Sequence, residues 1–140
     1  MIQKLATLLI ILCASISLKA QNPNKRQGFS KEEFRERQES FLTEKAGLTK
    51  DEAARFFPVY FELQDLKKKV NERAWKEVKK GKSPDTTESE YEKIIEESIK
   101  ARIETDKLDL EYLQKFKKIL SAKKIYKLQH AEMKFHRNIL

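Results

Sequence analysis

Residues 48–63, LTKDEAARFFPVYFEL, decide the fold. Thr49 is an N-cap residue and Glu52 stands three positions later, the spacing of a capping box in which two free backbone donors are satisfied reciprocally. Phe56, Val59, Tyr60 and Leu63 follow at helical spacing, so a long helix with one apolar face starts here. A shorter echo opens at Leu120-Ser121-Ala122-Lys123-Lys124 and runs into Ile125, Tyr126 and Leu128. In both copies a Leu and a hydroxyl residue precede a helix that carries an apolar stripe and many charges.

Working outward, the first helix is expected over residues 31–46. Ser30 caps it, Glu33 completes a capping box, Phe29 and Phe34 form a hydrophobic staple, and Gly47 stops it. Phe34, Phe41 and Leu42 are its inward positions. The second helix is expected over 50–80, with Gly81 ending it. Its stripe is Phe56, Val59, Tyr60, Leu63, Leu66, Val70, Ala74 and Val78, while Phe57, Phe61 and Trp75 lie beside it or off it. Pro58 removes the donor for the Ala54 carbonyl and favours a bend. Pro84 marks a turn, and Thr87 with Glu90 opens a third helix over 88–119. Its inward positions read as Tyr91, Ile94, Ile95, Ile99, Ile103, Leu110, Leu113 and Phe116. The fourth helix, 122–139, presents Ile125, Leu128, Met133, Phe135, Ile139 and Leu140. No strand pattern occurs, so the expected fold class is all-α: four helices, short-long-long-short, with the two long ones as an antiparallel hairpin.

Charge supports that hairpin. Eight basic and two acidic residues occupy 67–82, against six acidic residues and Lys93 in 85–97, so a tight turn sets a basic helix end beside an acidic start. With 37% charged against 39% hydrophobic residues, the core has to be a thin seam, and a dimer interface would help to complete it.

Residues 1–20 have the layout of a cleaved secretory leader: Lys4, the apolar run 5–12, and Leu18-Lys19-Ala20 before Gln21. Cys13 raises the alternative of a lipid anchor, but Leu12 stands where such a signal carries a small residue. Residues 21–28 read as a flexible polar arm, and 29–140 as one helical domain. Removal of Lys4 and Lys19 with the leader lowers the formal net charge from +8 to +6. In an exported, periplasmic protein that excess points to anionic membrane surfaces or acidic unfolded polypeptides, or serves solubility, and not to nucleic acid.

Catalytic chemistry has little to stand on. There is no Gly-rich phosphate loop, no HExxH and no GxSxG, and both histidines fall in the last eleven positions, so no enzyme and no cofactor are expected. His130 and His136 sit about 120° apart on a helix. Glu132 with His136, four residues apart, is the weak metal candidate and needs further ligands. A binding surface is the stronger candidate. Phe57, Phe61 and Trp75 beside Lys67, Lys68, Arg73 and Lys76 would make an amphipathic face able to hold non-native chains.

These features resemble the Spy/CpxP family of Gram-negative periplasmic proteins, whose members carry a signal peptide, four helices and two LTxxQ motifs. Leu48-Thr49-Lys50-Asp51-Glu52 matches the first motif with Glu for Gln. Leu120-Ser121-Ala122-Lys123-Lys124 matches the second with Ser for Thr and Lys for Gln, and Lys124 cannot accept the capping bond that Gln would. The run Phe56–Tyr60 is similar to that of a divergent branch of the family. The resemblance implies a bent, cradle-shaped antiparallel homodimer acting as an ATP-independent chaperone for unfolded envelope proteins, or as an envelope-stress adaptor. The alternatives are a signalling module that binds one periplasmic regulator and a metal-responsive sensor.

Overall fold

The computed structural model describes residues 30–139 and, for side chains, residues up to 137. Residues 1–29, with the expected leader, polar arm and Phe29 of the staple, lie outside what is described, as do Leu140 and the side chain of Ile139. Four α-helices make up the described chain, with no strand: α1 (Lys31–Ala46), α2 (Lys50–Lys80), α3 (Glu88–Phe116) and α4 (Ala122–Ile139).

The helix starts follow from local chemistry. Ser30 Oγ accepts from the Glu33 amide and Glu33 Oε2 from the Ser30 amide, at 3.1 and 2.9 Å. Thr49 with Glu52, and Thr87 with Glu90, repeat the arrangement. Gly47 adopts a left-handed conformation (φ 67°) that lets it and Leu48 return hydrogen bonds to the last carbonyls of α1. Gly81 is different. Its backbone is right-handed, and a Cβ there would stand 3.2 Å from Ile94 Cδ1, so the glycine serves the close return of α3. Pro58 and Ala54 are both exposed and α2 runs through them, so the carbonyl deprived of its helical donor lies on the solvent side.

The core sits where the four helices meet. Leu42 and Ala46 of α1, Ala53, Phe56, Phe57, Tyr60 and Leu63 of α2, Tyr112 and Phe116 of α3, and Ile125, Leu128 and Ala131 of α4 form one buried cluster. Phe135 of α4 lies 5.5 Å from the rings of both Phe34 and Phe41, which fastens α1 to α4. Past Val70 on α2 and Ala101 on α3 the hairpin contains no buried residue, and its outer part is held by a half-buried seam of Ala74, Val78, Ile94 and Ser98.

Three sequence expectations need correction. The third helix ends at Phe116 and not at 119, because the chain turns over Lys117–Leu120, with the Ile119 and Leu120 amides both donating to the Phe116 carbonyl. Tyr91, Ile95, Ile99, Ile103 and Leu110 were expected to face inward but are 41–66% exposed, and Met133 of α4 is 60% exposed. The buried face of α3 is rotated by roughly a third of a turn, at 100° per residue, and runs through Ala101, Thr105, Leu108, Tyr112 and Phe116. Interaxial distance depends on the contact side chains, and the inner face mixes small Ser98, Ala101 and Thr105 with Ile94, Leu108, Tyr112 and Phe116, while Ile95, Ile99 and Ile103 stay outside. Finally, the basic and acidic runs form no ion pair across the hairpin tip among the described residues. The pairs between the long helices are farther in: Lys67 to Asp109 at 2.7 Å, and Arg73 to Glu104.

Candidate functional site

The face proposed from the sequence divides in two. Phe57 is 2% exposed, packed edge-on against Phe56 and Tyr60 at 5.2 and 6.0 Å, and therefore belongs to the core and not to a binding surface. Phe61 is half-buried beneath the Arg35 guanidinium, 4.8 Å from its ring centroid, and Arg35 in turn bonds Asp65 at 2.7 Å. That pairing holds the Asp65 carboxyl below its usual range. Arg35 of α1 therefore covers Phe61, while Phe57 is buried in the common core. Lys67 and Arg73 are engaged with α3, whereas Lys68, Lys76 and Trp75 remain exposed, Trp75 at 54%.

What the structure offers instead is a row on α3. Ile95, Ile99 and Ile103 recur every four residues and Leu110 follows seven later, on a face turned away from α2. From Ile95 to Leu110 the row spans about 22 Å at 1.5 Å per residue. Exposed β-branched side chains on a helix this charged contribute nothing to solubility, and the run Ile95–Ile99–Ile103, separated from Leu110 by Asp106, is the kind of apolar patch that marks an interaction surface. The sequence signal for the row was its periodicity; only its direction was misjudged.

A second apolar feature is a cleft of ≈180 Å³ between α2, α3 and α4. Phe56, Leu63, Leu113, Phe116, Ile125 and Leu128 form its walls, and Gln64, Glu132 and the Lys67–Asp109 pair its rim. It has room for one apolar side chain. Beyond Gln64 and Lys67 it opens onto the shallow α2 face of Lys68, Asn71 and Trp75.

The two motif copies meet through their third helical residues. Glu52 Oε2 accepts from the Thr49 amide at 2.8 Å and from Lys124 Nζ at 2.5 Å, while Ser121 Oγ accepts from the Lys124 amide at 3.3 Å. Lys124 cannot close a capping box on its own helix. It crosses to the box of α2, whose carboxylate offsets the unfavourable cation in the first turn of α4. Leu120 lies buried beside this junction in the common core. The Lys124 contact, then the Thr49 amide, hold the Glu52 carboxyl below its ordinary value of 4.5. A carboxylate with a depressed pKa stabilises the fold above its unfolded-state value, and that contribution disappears as pH falls through the folded pKa. Urea titrations from about pH 6 to about pH 3 should therefore show stability falling below about pH 4.5, with a shallower fall in Lys124→Gln.

Glu132 is taken up in a hydrogen-bond chain that reaches the core. Tyr60 Oη, buried in the core, accepts from Gln38 Nε2 at 2.9 Å and donates to Glu132 Oε1 at 2.8 Å, and Gln64 Nε2 donates to the same oxygen at 3.2 Å. His136 Nε2 lies 3.9 Å from it. Among the described residues no three of His, Cys, Asp and Glu come together as a ligand set. Burial, then the Glu132 charge, pushes the Tyr60 hydroxyl well above the usual tyrosine range, so it stays protonated and donating. Tyr60→Phe should cost about 1–3 kcal/mol in chemical denaturation, because Gln38 is left buried without its acceptor.

No protein-family model, no curated protein and no solved structure matches the chain. No described helix is long and apolar enough to cross a membrane.

Proposed function

We propose that the protein is a non-enzymatic, ATP-independent binder of non-native polypeptide, holdase-like, whose contact surface is the exposed row of α3. The observation that carries this reading is the inversion of α3: its small residues pack inward on α2, while Ile95, Ile99, Ile103 and Leu110 stand 44–66% exposed. Lys100, Arg102, Asp106 and Lys107 lie among them, so apolar contact is bordered by charge of both signs, which suits short-lived association with varied segments. The cleft between α2, α3 and α4 adds an anchor for one apolar side chain of the client. Export through residues 1–20, which we also infer from their pattern, would place this activity in the periplasm, where ATP is not expected.

Light scattering from a denatured client protein, without ATP, tests the reading. Stoichiometric amounts of the protein should suppress aggregation, and suppression should persist at high salt because the row is apolar. Unchanged aggregation at every ratio overturns it.

The i, i+4, i+8 spacing of the isoleucines favours one second reading, a regulatory adaptor whose row receives a single amphipathic helix. A second copy of this chain laid antiparallel along the row would use the same geometry. An adaptor binds one folded partner and ignores unfolded chains. A homodimer shows a doubled mass that Ile103→Lys returns to the monomer value.

A further inference from the structure

The net charge of the chain is not spread over its surface. Residues 115–140 contain eight basic residues and one acidic residue, which accounts for +7 of the formal +8. The one acid, Glu132, is turned inward to Tyr60 and Gln64. The outer face of α4 is therefore left without an acidic residue of its own.

Their order is regular. Lys123, Lys127, His130, Lys134 and Arg137 are spaced four, three, four and three residues apart, so they fall within an arc of roughly 80° and make one line about 21 Å long. All five are exposed, and none has an ion-pair partner among the described residues. Elsewhere Lys31, Arg35, Arg55, Lys67, Arg73 and Lys100 are each paired with a carboxylate, whereas Lys76, Lys79 and Lys82 of the hairpin also have no ion pair among the described residues. Like charges three and four residues apart destabilise a helix; the helix C-terminus favours Arg137, but no ion pair among the described residues offsets the repulsion along the rest of the line. Beside the line, Tyr126 and Met133 are 61% and 60% exposed and seven residues apart, which adds an apolar edge. The opposite face of α4 is already docked through Ile125, Leu128, Ala131 and Phe135, so the line is presented on a preformed helix.

We infer that the outer face of α4 docks on an anionic lipid surface. A line of four cations, Lys123, Lys127, Lys134 and Arg137, with His130 at its middle, fits a plane of negative headgroups, which supplies counter-charge along its length. Tyr126 and Met133 are the side chains that enter the boundary between headgroup and acyl chain. The helix lies on the bilayer and does not cross it. This surface is separate from the α3 row, so lipid docking and client binding stand or fall independently.

The experiment is co-sedimentation of the chain starting at Gln21, which leaves out the apolar run 5–12, with vesicles of phosphatidylcholine alone or mixed with phosphatidylglycerol. Binding should require phosphatidylglycerol and weaken in high salt. Each unit of charge removed should weaken it roughly five-fold. Lys127→Glu/Lys134→Glu should therefore lose nearly all binding while keeping its helical circular dichroism. Lys68→Glu/Lys76→Glu, which carries the same charge change on exposed α2 positions, should bind almost as before. Three outcomes overturn the inference: no binding to phosphatidylglycerol vesicles, equal loss in both double variants, or capture of polyglutamate with no binding to vesicles. The last would assign the face to an acidic polypeptide.

Discussion

Phe56→Ala is expected to lose about 3–5 kcal/mol of stability, the range for removing a buried aromatic from a packed core. Phe56 is 2% exposed and belongs to the core cluster shared by the four helices. Its ring centroid lies 4.8 Å from that of Phe116, 5.2 Å from Phe57 and 5.5 Å from Tyr60, so its loss opens a cavity between α2 and the end of α3. It also forms a wall of the cleft between α2, α3 and α4. Chains of this size have net stabilities of about 5–15 kcal/mol, so this one substitution removes a large share and should leave a visibly unfolded fraction in mild urea. Ile103→Ala is the informative contrast. Its side chain is 49% exposed and its removal should shift the urea midpoint little. A Phe56→Ala protein as stable as the wild type would show that the core has been placed wrongly.

Ile99→Lys/Ile103→Lys should have the opposite profile, with stability kept and binding lost. Both side chains project from the solvent face of α3, and lysine is a good helix former, so the fold is not challenged. The centre of the row, however, becomes two adjacent cations. A client segment laid there would lose the apolar contact of two isoleucines, about 1.5–3 kcal/mol each if fully covered, and would meet hydrated ammonium groups in its place. At least a ten-fold rise in the protein needed to suppress aggregation is expected, with an unchanged urea midpoint. Full suppression by this double variant would take the row out of the binding surface.

The parts of the fold that were legible in the sequence are those decided by near neighbours. Ser30 with Glu33, Thr49 with Glu52 and Thr87 with Glu90 are contacts three residues apart, and each marks the start of a helix where the hydroxyl and carboxyl spacing said it would. Gly47 needs only its own conformation to end α1. Periodicity also located the apolar positions of α3, but it cannot say which of two faces meets a neighbour. Ala101, Ser98 and Thr105 carry too little hydrophobic signal to compete with Ile95, Ile99 and Ile103, yet they lie on the face that meets α2. Tyr112 was passed over for a similar reason, since its place between Ala101 and Phe116 on the inner face is visible only once that face is known.

The aromatic site failed for a different physical reason. Phe57 and Phe61 look surplus on a single helix, but Phe57 joins the core shared by four helices and Phe61 is covered by Arg35 of α1, 26 residues back in sequence. Arg35 over Phe61 and the Gln38–Tyr60–Glu132 chain are tertiary contacts with no local signature. Lys124 is the most instructive residue of this kind. By spacing it is a failed capping residue, whereas in the fold it reaches 72 positions back to the capping box of α2 and joins the two motif copies.

The claim that α3 binds through its outer row is tested most directly by site-specific photocrosslinking. A photoreactive side chain at Ile99, mixed with a denatured client and irradiated, should give a covalent adduct. The same group at Glu36, exposed on α1, should give little. An adduct from Glu36 with none from Ile99 would contradict the account, because client would then be meeting a different face of the molecule.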